Sequence, residues 1–314
     1  MKNMKAFVTG GAGFIGSNLV DALLEKGYEV TVYDNLSLGT KDRLKQHLNN
    51  NNFTFVNADL LDFQKLSSSI KDHEVIFHLA ANSDISNNNV TDIDLKQGTL
   101  ATYNVLEAMR LNGIKKIVYS STSAVYGEPK VMPTPEDYGP LQPISLYGAS
   151  KLACEGLMTA FSHNFDFQVW IFRFANIIGK KGTHGVLVDF IRKLRNNPKE
   201  LEILGDGKQK KSYLEVMECV DGILFGLEKA KEQVNVYNLG CNSSTQVDTI
   251  ANIIVEEMSL KNVKFRYTGG RRGWKGDVPV MSLDVSKINK LGWKAKLTSD
   301  EAVRKSVKDL LKGY

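Results

Sequence analysis

Short apolar runs alternate, in the first half of the chain, with longer segments whose apolar residues recur at helical spacing. The apolar runs have the length and β-branched content of buried strands and fall at residues 6–9, 29–34, 53–56, 75–79, 117–119 and 169–172. Residues 14–25 place Ile15, Leu19 and Leu23 on one stripe, and residues 100–109 repeat that spacing. Strands that alternate with helices of this length predict a parallel sheet covered by helices on both faces.

The pattern loosens after residue 173, where glycine and lysine become frequent. Helical spacing returns in separate segments, at residues 186–194, 216–229, 247–258 and 300–311. We therefore predict the α/β class, with a Rossmann-type doubly wound parallel sheet and a smaller, less regular C-terminal lobe.

Composition excludes several classes of protein. The 314 residues are 42% hydrophobic and 24% charged, and the net charge of +5 is not gathered into a long run, so we expect no nucleic-acid partner. Three scattered cysteines and five histidines without zinc-site spacing predict neither a disulfide framework nor a metal site. No apolar run approaches the roughly 18 residues of a membrane span. With no signal peptide before the first strand, we expect a soluble, cytoplasmic protein without a membrane partner.

A glycine triplet, Gly10, Gly13 and Gly16, lies between the first predicted strand and the first predicted helix. Glycine at this spacing allows a tight turn, close approach of the backbone to a pyrophosphate, and packing of the helix on the strand. The helix begins near Phe14 and Ile15, where free N–H groups and the helix dipole favour phosphate. A plain turn is the alternative, but the strand and helix on either side favour a dinucleotide site.

An acidic residue, Asp34, ends the second predicted strand. Such a residue would accept hydrogen bonds from the ribose hydroxyls of adenosine. Asn35 follows, and no adjacent arginine is available for a 2′-phosphate, so NAD is favoured over NADP. Asp59 and Leu60 follow the third strand and are candidate adenine contacts, although a helix cap explains them nearly as well.

Tyr147 and Lys151 begin a predicted helix and lie one turn apart on one of its faces. A nearby ammonium lowers the pKa of a phenol, which makes tyrosine a usable base near neutral pH. Residues 120–123 add hydroxyl groups at the carboxyl end of a strand, where open parallel sheets bind ligands. Tyr126 and Lys130 have the same spacing, but the intervening glycine and proline exclude a helical turn.

Six ordered motifs carry a family resemblance: the glycine triplet, Asp34, and residues 78–81, 119–127, 147–151 and 173–176. They resemble the extended short-chain dehydrogenase/reductase family and, within it, the NAD-dependent nucleotide-sugar epimerases, most of all the UDP-glucose 4-epimerases. The resemblance runs essentially end to end. It implies an isomerase with NAD as cofactor, which inverts C4 of a nucleotide-diphosphate sugar through a transient 4-keto intermediate. UDP-glucose and UDP-galactose are the favoured pair.

The resemblance also implies roles for individual residues. Thr122 is the catalytic hydroxyl partner, Tyr147 is the base, and Lys151 holds the nicotinamide ribose. The expected cofactor contacts are Gly10, Gly13, Phe14, Ile15, Gly16, Asp34, Asn35, Asp59, Leu60, Leu79, Ala80, Ala81, Tyr147 and Lys151. The expected substrate contacts are Ser123, Asn176, Lys211, Arg272, Asp277 and Met281.

The residues after Thr122 bear on the reaction. Sugar 4,6-dehydratases resemble one another in having Asp-Glu there, whereas this chain has Ser123 and Ala124. Because Ala124 cannot transfer a proton, epimerisation is favoured over loss of water. The alternatives left open are another nucleotide-sugar epimerase, such as one acting on UDP-glucuronate, a net dehydrogenase or reductase, and a non-catalytic NAD-binding protein.

The chain departs from the family pattern at four positions. Leu95 stands where many relatives have asparagine. Lys211 stands where they often have arginine, and lysine keeps the positive charge but cannot form a bidentate contact. Ser212 and Glu215 replace an aspartate and an aromatic or histidine. These departures concern the geometry of the diphosphate site more than the hydride chemistry.

We expect two domains and a homodimer. The dinucleotide-binding domain comprises residues 1–175 and about 234–256, and the nucleotide-sugar-binding lobe comprises about 176–233 and 257–314. Relatives often dimerise through two helices of each subunit, and here these correspond to residues 100–109 and 146–163.

Overall fold

A computed structural model describes residues 4–82, 90–273 and 277–313. The strands are β1 (Lys5–Thr9), β2 (Glu29–Asp34), β3 (Phe53–Asn57), β4 (Val75–His78), β5 (Lys116–Thr122), β6 (Gln168–Phe174), β7 (Asn176–Ile178), β8 (Glu200–Ile203), β9 (Lys210–Lys211), β10 (Tyr213–Glu215), β11 (Val234–Leu239), β12 (Thr245–Gln246), β13 (Lys264–Tyr267) and β14 (Val280–Met281). The helices are α1 (Phe14–Glu25), α2 (Phe63–Ser69), α3 (Ala101–Leu111), α4 (Leu146–Phe165), α5 (Val186–Asn196), α6 (Val216–Lys229), α7 (Val247–Glu257), α8 (Ser286–Leu291) and α9 (Ser299–Leu311). Among the described residues, every helix is too short or too polar to cross a bilayer.

A seven-stranded sheet forms the centre of the first compact unit, with the strand order β11-β6-β5-β4-β1-β2-β3. The pairs from β5 to β3 are parallel, and their registers are unbroken. The central strand β4 is buried at every position, because the strands of such a sheet are covered on both faces. The predicted Rossmann-type α/β fold is confirmed.

The first unit comprises residues 1–125, 141–173 and 223–237. Its core joins the sheet to α3 and α4 through Ile76, Val105 and Met158, all of them inaccessible to solvent. Two short helical turns adjoin these elements, a π-helix at Leu95–Leu100 and a 3₁₀ turn at Ser123–Tyr126.

The second unit comprises residues 126–140, 174–222 and 238–314, described to residue 313. It contains three small sheets: β8 pairs with β13, β7 pairs with β10, and β9 lies between β12 and β14. A second core, with Phe190, Ile254 and Val307 at its centre, packs α5, α7 and α9 together.

The units differ from the expected domain ranges in three segments, of which the first, residues 126–140, lies in the second unit. Residues 223–233 lie in the first unit, where Gly226 of α6 leaves no room for a side chain against Phe172. Residues 238–256 lie in the second unit, because α7 packs into the second core. The assignment of one unit to the cofactor and the other to the substrate stays a prediction.

Candidate active site

The glycine triplet forms a close-packed turn between β1 and α1. Gly10 has a φ of +70°, and its N–H donates to the carbonyl of Tyr33 at 3.0 Å. A Cβ on Gly10 would lie 2.6 Å from the backbone nitrogen of Ala80, and one on Gly16 would lie 2.1 Å from the carbonyl oxygen of Gly10. Only glycine fits at these two positions, since no backbone atom there is free to move aside.

The start of α1 is open to an anion. Gly13 is the N-cap residue, and no side chain of the described residues caps the helix. The N–H groups of the first turn, at Phe14 and Ile15, therefore have no side-chain partner at the cap and carry the positive end of the helix dipole. A cradle without side chains that leads into an uncapped helix fits the pyrophosphate of NAD.

Asp34 holds the glycine turn as well as ending β2. Its Oδ2 accepts a hydrogen bond from the Ala12 N–H at 2.9 Å, and its Oδ1 accepts one from the Leu36 N–H at 2.8 Å. Burial raises the pKa of Asp34, and these two N–H donors oppose the rise. The bracing role of Asp34 was not anticipated from the sequence, although its position at the strand end was.

Asp59 is held by three donors from separate segments. Asn35 donates to it at 2.9 Å, Gln97 at 3.1 Å, and the Leu61 N–H at 2.8 Å. Although burial opposes them, these donors lower the pKa of the Asp59 carboxyl. Gln97 was missed in the sequence, because no local motif indicates a contact with a residue so distant in the chain. The side chain of Leu60 is buried in the first core.

The residues after β4 lie against the glycine turn. The Leu79 N–H donates to the carbonyl of Thr9 at 3.1 Å, and the Ala80 N–H donates to the Thr9 Oγ1 at 3.3 Å. His78 is buried between the hydroxyls of Thr9 and Thr102, at 2.7 and 2.9 Å. Burial and Lys151 lower the pKa of His78 to about 3, so His78 is neutral and structural.

Thr122, Tyr147 and Lys151 meet at the carboxyl end of β5. Thr122 is the last residue of β5, and its side chain is near enough to the Tyr147 phenol to lower the pKa of that phenol. Tyr147 lies in the first turn of α4, which Ser145 caps by accepting from the Gly148 N–H at 3.0 Å. One turn later, the Lys151 Nζ donates to the carbonyl of Ser120 at 2.6 Å. The predicted proton-transfer group is therefore a contiguous set of side chains.

The ionisation of this set differs from the expectation. Burial raises the pKa of Tyr147 to about 12, and Thr122 only partly opposes the rise. Burial also lowers the pKa of Lys151 to about 8, against the neighbouring acidic groups Cys154, Glu155 and Asp94. Desolvation therefore dominates the pKa of the Tyr147 phenol in the protein alone.

A buried ion pair fixes α4 to the sheet behind these residues. Glu155, one turn after Lys151, accepts from Arg173 of β6 at 2.7 Å and from the Ser121 hydroxyl at 2.5 Å. Glu155 and Arg173 are almost completely buried. The pair sets the position of β5 next to Thr122. In the sequence, Arg173 stands out only as part of a motif, and no local signal indicates Glu155.

The candidate substrate residues of the second unit also converge. The Lys211 Nζ lies 2.6 Å from Oδ1 of Asp277, which is buried. Arg272 donates to the Asp277 carbonyl and pairs with Glu128 at 2.9 Å. Met281 of β14 is buried and stands opposite Lys211 of β9 in the strand register. Each cation therefore has an acidic partner within its own unit.

Other predicted residues of the second unit have local backbone partners. The N–H of Asn176 donates to the carbonyl of Ser212 at 3.1 Å. The Ser212 hydroxyl donates to the carbonyl of Cys241 at 3.2 Å, and Glu215 accepts from Lys305 at 2.8 Å. The two departures at 212 and 215 are therefore parts of the internal structure of this unit. Residues 274–276, within the motif at 272–277, lie outside the described residues.

A sequence model of the NAD-dependent epimerase/dehydratase family matches residues 6–240. The chain belongs to this family. A putative UDP-glucose 4-epimerase of Methanocaldococcus jannaschii is 36% identical over 96% of both chains, and the UDP-glucose 4-epimerase of Bacillus subtilis is 30% identical over 95% of this chain and 94% of its own. The confirmed predictions are the family, the enzymatic nature of the chain and NAD as its cofactor.

Solved structures of the family share the fold. The chain is 39% identical in sequence to a UDP-galactose 4-epimerase of known crystal structure. The two structures superpose with a TM-score of 0.88 over 98% of this chain and 99% of that one. The UDP-glucuronic acid 4-epimerase of Bacillus cereus, solved with UDP-glucuronic acid and NAD, is 27% identical, with a TM-score of 0.90 over 99% of this chain and 100% of that one. The fold therefore does not distinguish between sugars within the family.

Proposed function

We propose that the chain is an NAD-dependent epimerase that inverts C4 of a UDP-sugar, with UDP-glucose and UDP-galactose as the pair interconverted. The observation that carries this proposal is the contiguous set of Thr122, Tyr147 and Lys151. Ala124, two residues after Thr122, stands where dehydratases have a glutamate for proton transfer. The similarity to UDP-glucose and UDP-galactose 4-epimerases, at 30–39% identity, supports the choice of sugar.

Proton transfer is assigned to the Tyr147 phenol. Tyr147 takes the proton of the sugar 4′-hydroxyl, directly or through the hydroxyl of Thr122. It returns the proton after the 4-keto sugar has rotated to present its opposite face. Lys151 holds the nicotinamide ribose and favours the ionised phenol. When bound, NAD supplies a hydride acceptor and gives the hydride back, so the overall reaction is redox-neutral.

Loss of water is disfavoured by the residues next to Thr122. The Ala124 N–H donates to Thr122 Oγ1 at 3.2 Å, and its methyl side chain has no proton to give. Ser123, the preceding residue, is assigned to the sugar as a neutral contact. An intermediate ketone would therefore be reduced again and not dehydrated.

The second unit is assigned to the nucleotide diphosphate. Lys211, Arg272 and Asn176 would contact the phosphates, and Asp277 and Met281 would contact the remainder of the substrate. Binding of a diphosphate would replace carboxylate partners of these cations by phosphate oxygens. Holding the nucleotide firmly lets the sugar turn while binding energy far from C4 positions it.

A homodimer is the assembly that we propose. Large apolar side chains on α3 and α4 of the first unit are exposed, namely Tyr103, Leu111, Leu146 and Phe165. Leu100, next to the start of α3, is also exposed. Apolar residues on two neighbouring helices suit a helical interface with a second copy.

The test is to incubate the purified chain with NAD and separate UDP-, GDP-, CDP- and dTDP-sugars, and to resolve the products by chromatography. We expect UDP-glucose and UDP-galactose to interconvert without accumulation of NADH. Stoichiometric NADH would instead indicate a net dehydrogenase, and turnover restricted to UDP-glucuronate would indicate the alternative epimerase. Binding of NAD without turnover of any sugar would contradict an epimerase.

A further inference from the structure

Lys151 lies between a backbone carbonyl and the face of an aromatic ring. Its Nζ is 4.6 Å from the centre of the Tyr119 ring and donates to the carbonyl of Ser120, the next residue of β5, at 2.6 Å. The centre of the Tyr147 ring is farther away, at 5.9 Å. The face of an aromatic ring attracts a cation within about 6 Å of its centre, most strongly where water is excluded. The Tyr119 ring is therefore a binding surface for the ammonium.

The Tyr119 ring is buried and carries no charge. Tyr119 is 1% exposed and belongs to the first core. Burial raises the pKa of Tyr119 well above its usual value, so the phenol keeps its proton. The ring stacks on that of His78, with 5.6 Å between centres and 29° between planes, and His78 is neutral as well. The face that Lys151 contacts is therefore that of a neutral ring with a neutral ring beside it.

Hydrogen bonds join the elements around this ring. Thr102 of α3 has its Oγ1 2.9 Å from Nε2 of His78, and the thiol of Cys154 donates to the same oxygen at 3.2 Å. Cys154 lies three residues after Lys151 on α4. These bonds therefore fix the helix that carries the lysine relative to the Tyr119 ring.

Titratable groups of several elements face Lys151. They are Cys154, Glu155 and Tyr147 of α4, Asp94 before the π-turn, Tyr119 of β5 and His78 of β4. Glu155 is already paired with Arg173 at 2.7 Å. Among the described residues, the contacts of the Nζ itself are the Ser120 carbonyl and the two aromatic faces. The charge of Lys151 is therefore held at short range by uncharged groups.

We propose that Tyr119 is a positioning residue of the active site, whose aromatic face, with the adjacent Ser120 carbonyl, holds the Lys151 ammonium beside Tyr147. The inference rests on the proposed function in that Lys151 is taken to favour the ionised phenol of Tyr147. The ring attracts the ammonium, and the Ser120 carbonyl uses one of its three N–H donors. Other donors thus stay available to the hydroxyls of a ribose.

The geometry is tested in the unaltered full chain by NMR, with lysines labelled with ¹³C at Cε and Lys151→Met used to assign the resonance. The ring current shields protons above the face of a ring, so the Hε protons of Lys151 should resonate upfield of those of exposed lysines. Hε protons at the ordinary position of an exposed lysine would overturn the proposal. This measurement does not depend on the folding of any variant at Tyr119.

The energetic contribution of the ring is tested by fluorination. Tyr119→Phe is the reference, and 4-fluorophenylalanine and 3,4,5-trifluorophenylalanine are placed at the same position. Fluorine withdraws electron density from the face of the ring and leaves its shape nearly the same. We expect the titration midpoint of Lys151 to fall along this series, by at least about 0.5 pH unit at its end, because the ammonium loses an attraction that the neutral amine lacks. An equal midpoint across the series would overturn the proposal.

The matched control places the same fluorinated residues at Phe172 of β6. Phe172 is also fully buried, and its ring stacks on that of Tyr237 with 6.3 Å between centres. The Lys151 midpoint should stay in place in that series. A fall of the same size in both series would mean that fluorine disturbs the core in general and would overturn the assignment to Tyr119.

The second readout is the pH profile of kcat along the Tyr119 series. Because Lys151 is to act in its charged form, the alkaline limb should move toward lower pH in the same order as the midpoint. A uniform loss of rate at every pH, with the midpoint unchanged, would mean a structural role only and would overturn the inference. A falling midpoint in a chain that turns over no UDP-sugar would support the inference and count against the proposed function alone.

Discussion

The first unit buries its candidate catalytic lysine and half-buries Thr122 and Tyr147, whereas the second unit leaves its candidate phosphate-binding cations partly in solvent. Lys151 is 4% exposed, and a backbone carbonyl holds its Nζ at 2.6 Å. The Lys211 side chain is 23% exposed and the Arg272 side chain 41% exposed, and each pairs with a carboxylate. Burial raises the Tyr147 pKa to about 12.

The difference suits the roles that we propose for the two sets of residues. Proton transfer requires a fixed geometry, and desolvated groups with hydrogen-bond partners keep it. A cation that binds a phosphate must exchange its partner, which is easy for an exposed ion pair worth about 0–1 kcal/mol. Lys211 is intermediate, since its partner Asp277 is itself buried. The ion pairs of the second unit thus hold Lys211 and Arg272 in place, and each cation can still exchange its carboxylate partner for a phosphate.

The largest effect is expected at the buried set. Tyr147→Phe removes the proton-transfer group while leaving the ring, so kcat should fall by roughly 10²–10⁴-fold. Binding of NAD and of the UDP-sugar should change little, because the hydroxyl acts in the transition state. Steady-state rates and calorimetric binding of both ligands measure the two quantities.

Tyr126→Phe is the control for this prediction. The Tyr126 hydroxyl donates to Asn238 at 2.7 Å and is buried in the second unit. Its loss should lower the free energy of unfolding by about 1–3 kcal/mol, because a buried amide loses a partner. Turnover should persist in the folded variant. Normal turnover in Tyr147→Phe would show that another group is the base.

The sequence predicts the site best where the signal is local. The glycine triplet and the Tyr147–Lys151 spacing are short motifs, and strand ends place them at one edge of the sheet. Gln97 and Glu155 act through residues far away in the chain, so no spacing indicates them. The rise in the Tyr147 pKa that burial causes in the protein alone was not anticipated. Charge proximity is visible in the sequence, but the degree of desolvation is a property of the folded chain.

A smaller effect is expected for the cofactor cradle. A methyl group at Gly16 would lie 2.1 Å from the Gly10 carbonyl oxygen, so Gly16→Ala must displace the turn. We expect a loss of about 1–3 kcal/mol in the free energy of unfolding and a roughly 100-fold weaker affinity for NAD. Gly156→Ala is the matched control, since a Cβ there meets no atom within 4 Å and Gly156 lies inside α4. That variant should gain about 0.5–1 kcal/mol in stability and bind NAD normally. Equal NAD affinity in both variants would mean that the turn does not hold the cofactor.

The cations of the second unit should affect substrate binding and not the chemical step. Lys211→Met removes one charge, and the KM for the UDP-sugar should rise about 10- to 100-fold with kcat changed only slightly. Glu128→Gln frees Arg272 from an exposed pair and should change KM by less than about threefold. A fall in kcat equal to the rise in KM for Lys211→Met would place Lys211 in the chemistry and would remove the contrast between the two units.

The smallest effect concerns the size of the sugar. The resemblance to UDP-glucose 4-epimerases implies that the position of Met281 gates room for a 2-N-acetyl group. Met281 is buried and stands opposite Lys211 in the strand register. Methionine is flexible enough to leave part of the space that a ring would fill. We therefore expect UDP-N-acetylglucosamine to be turned over poorly by the unaltered chain.

Met281→Gly should raise turnover of UDP-N-acetylglucosamine relative to UDP-glucose by roughly tenfold, and Met281→Tyr should lower that ratio, because steric differences in a pocket are worth about 1–3 kcal/mol. Met281→Leu keeps the volume and should leave the ratio in place. The ratio of kcat/KM for the two sugars, measured in one mixture, is independent of how much of each variant is folded. An unchanged ratio in the glycine and tyrosine variants would show that Met281 supports β14 and the position of Lys211 without touching the sugar, which would leave the second unit as a site for the nucleotide alone.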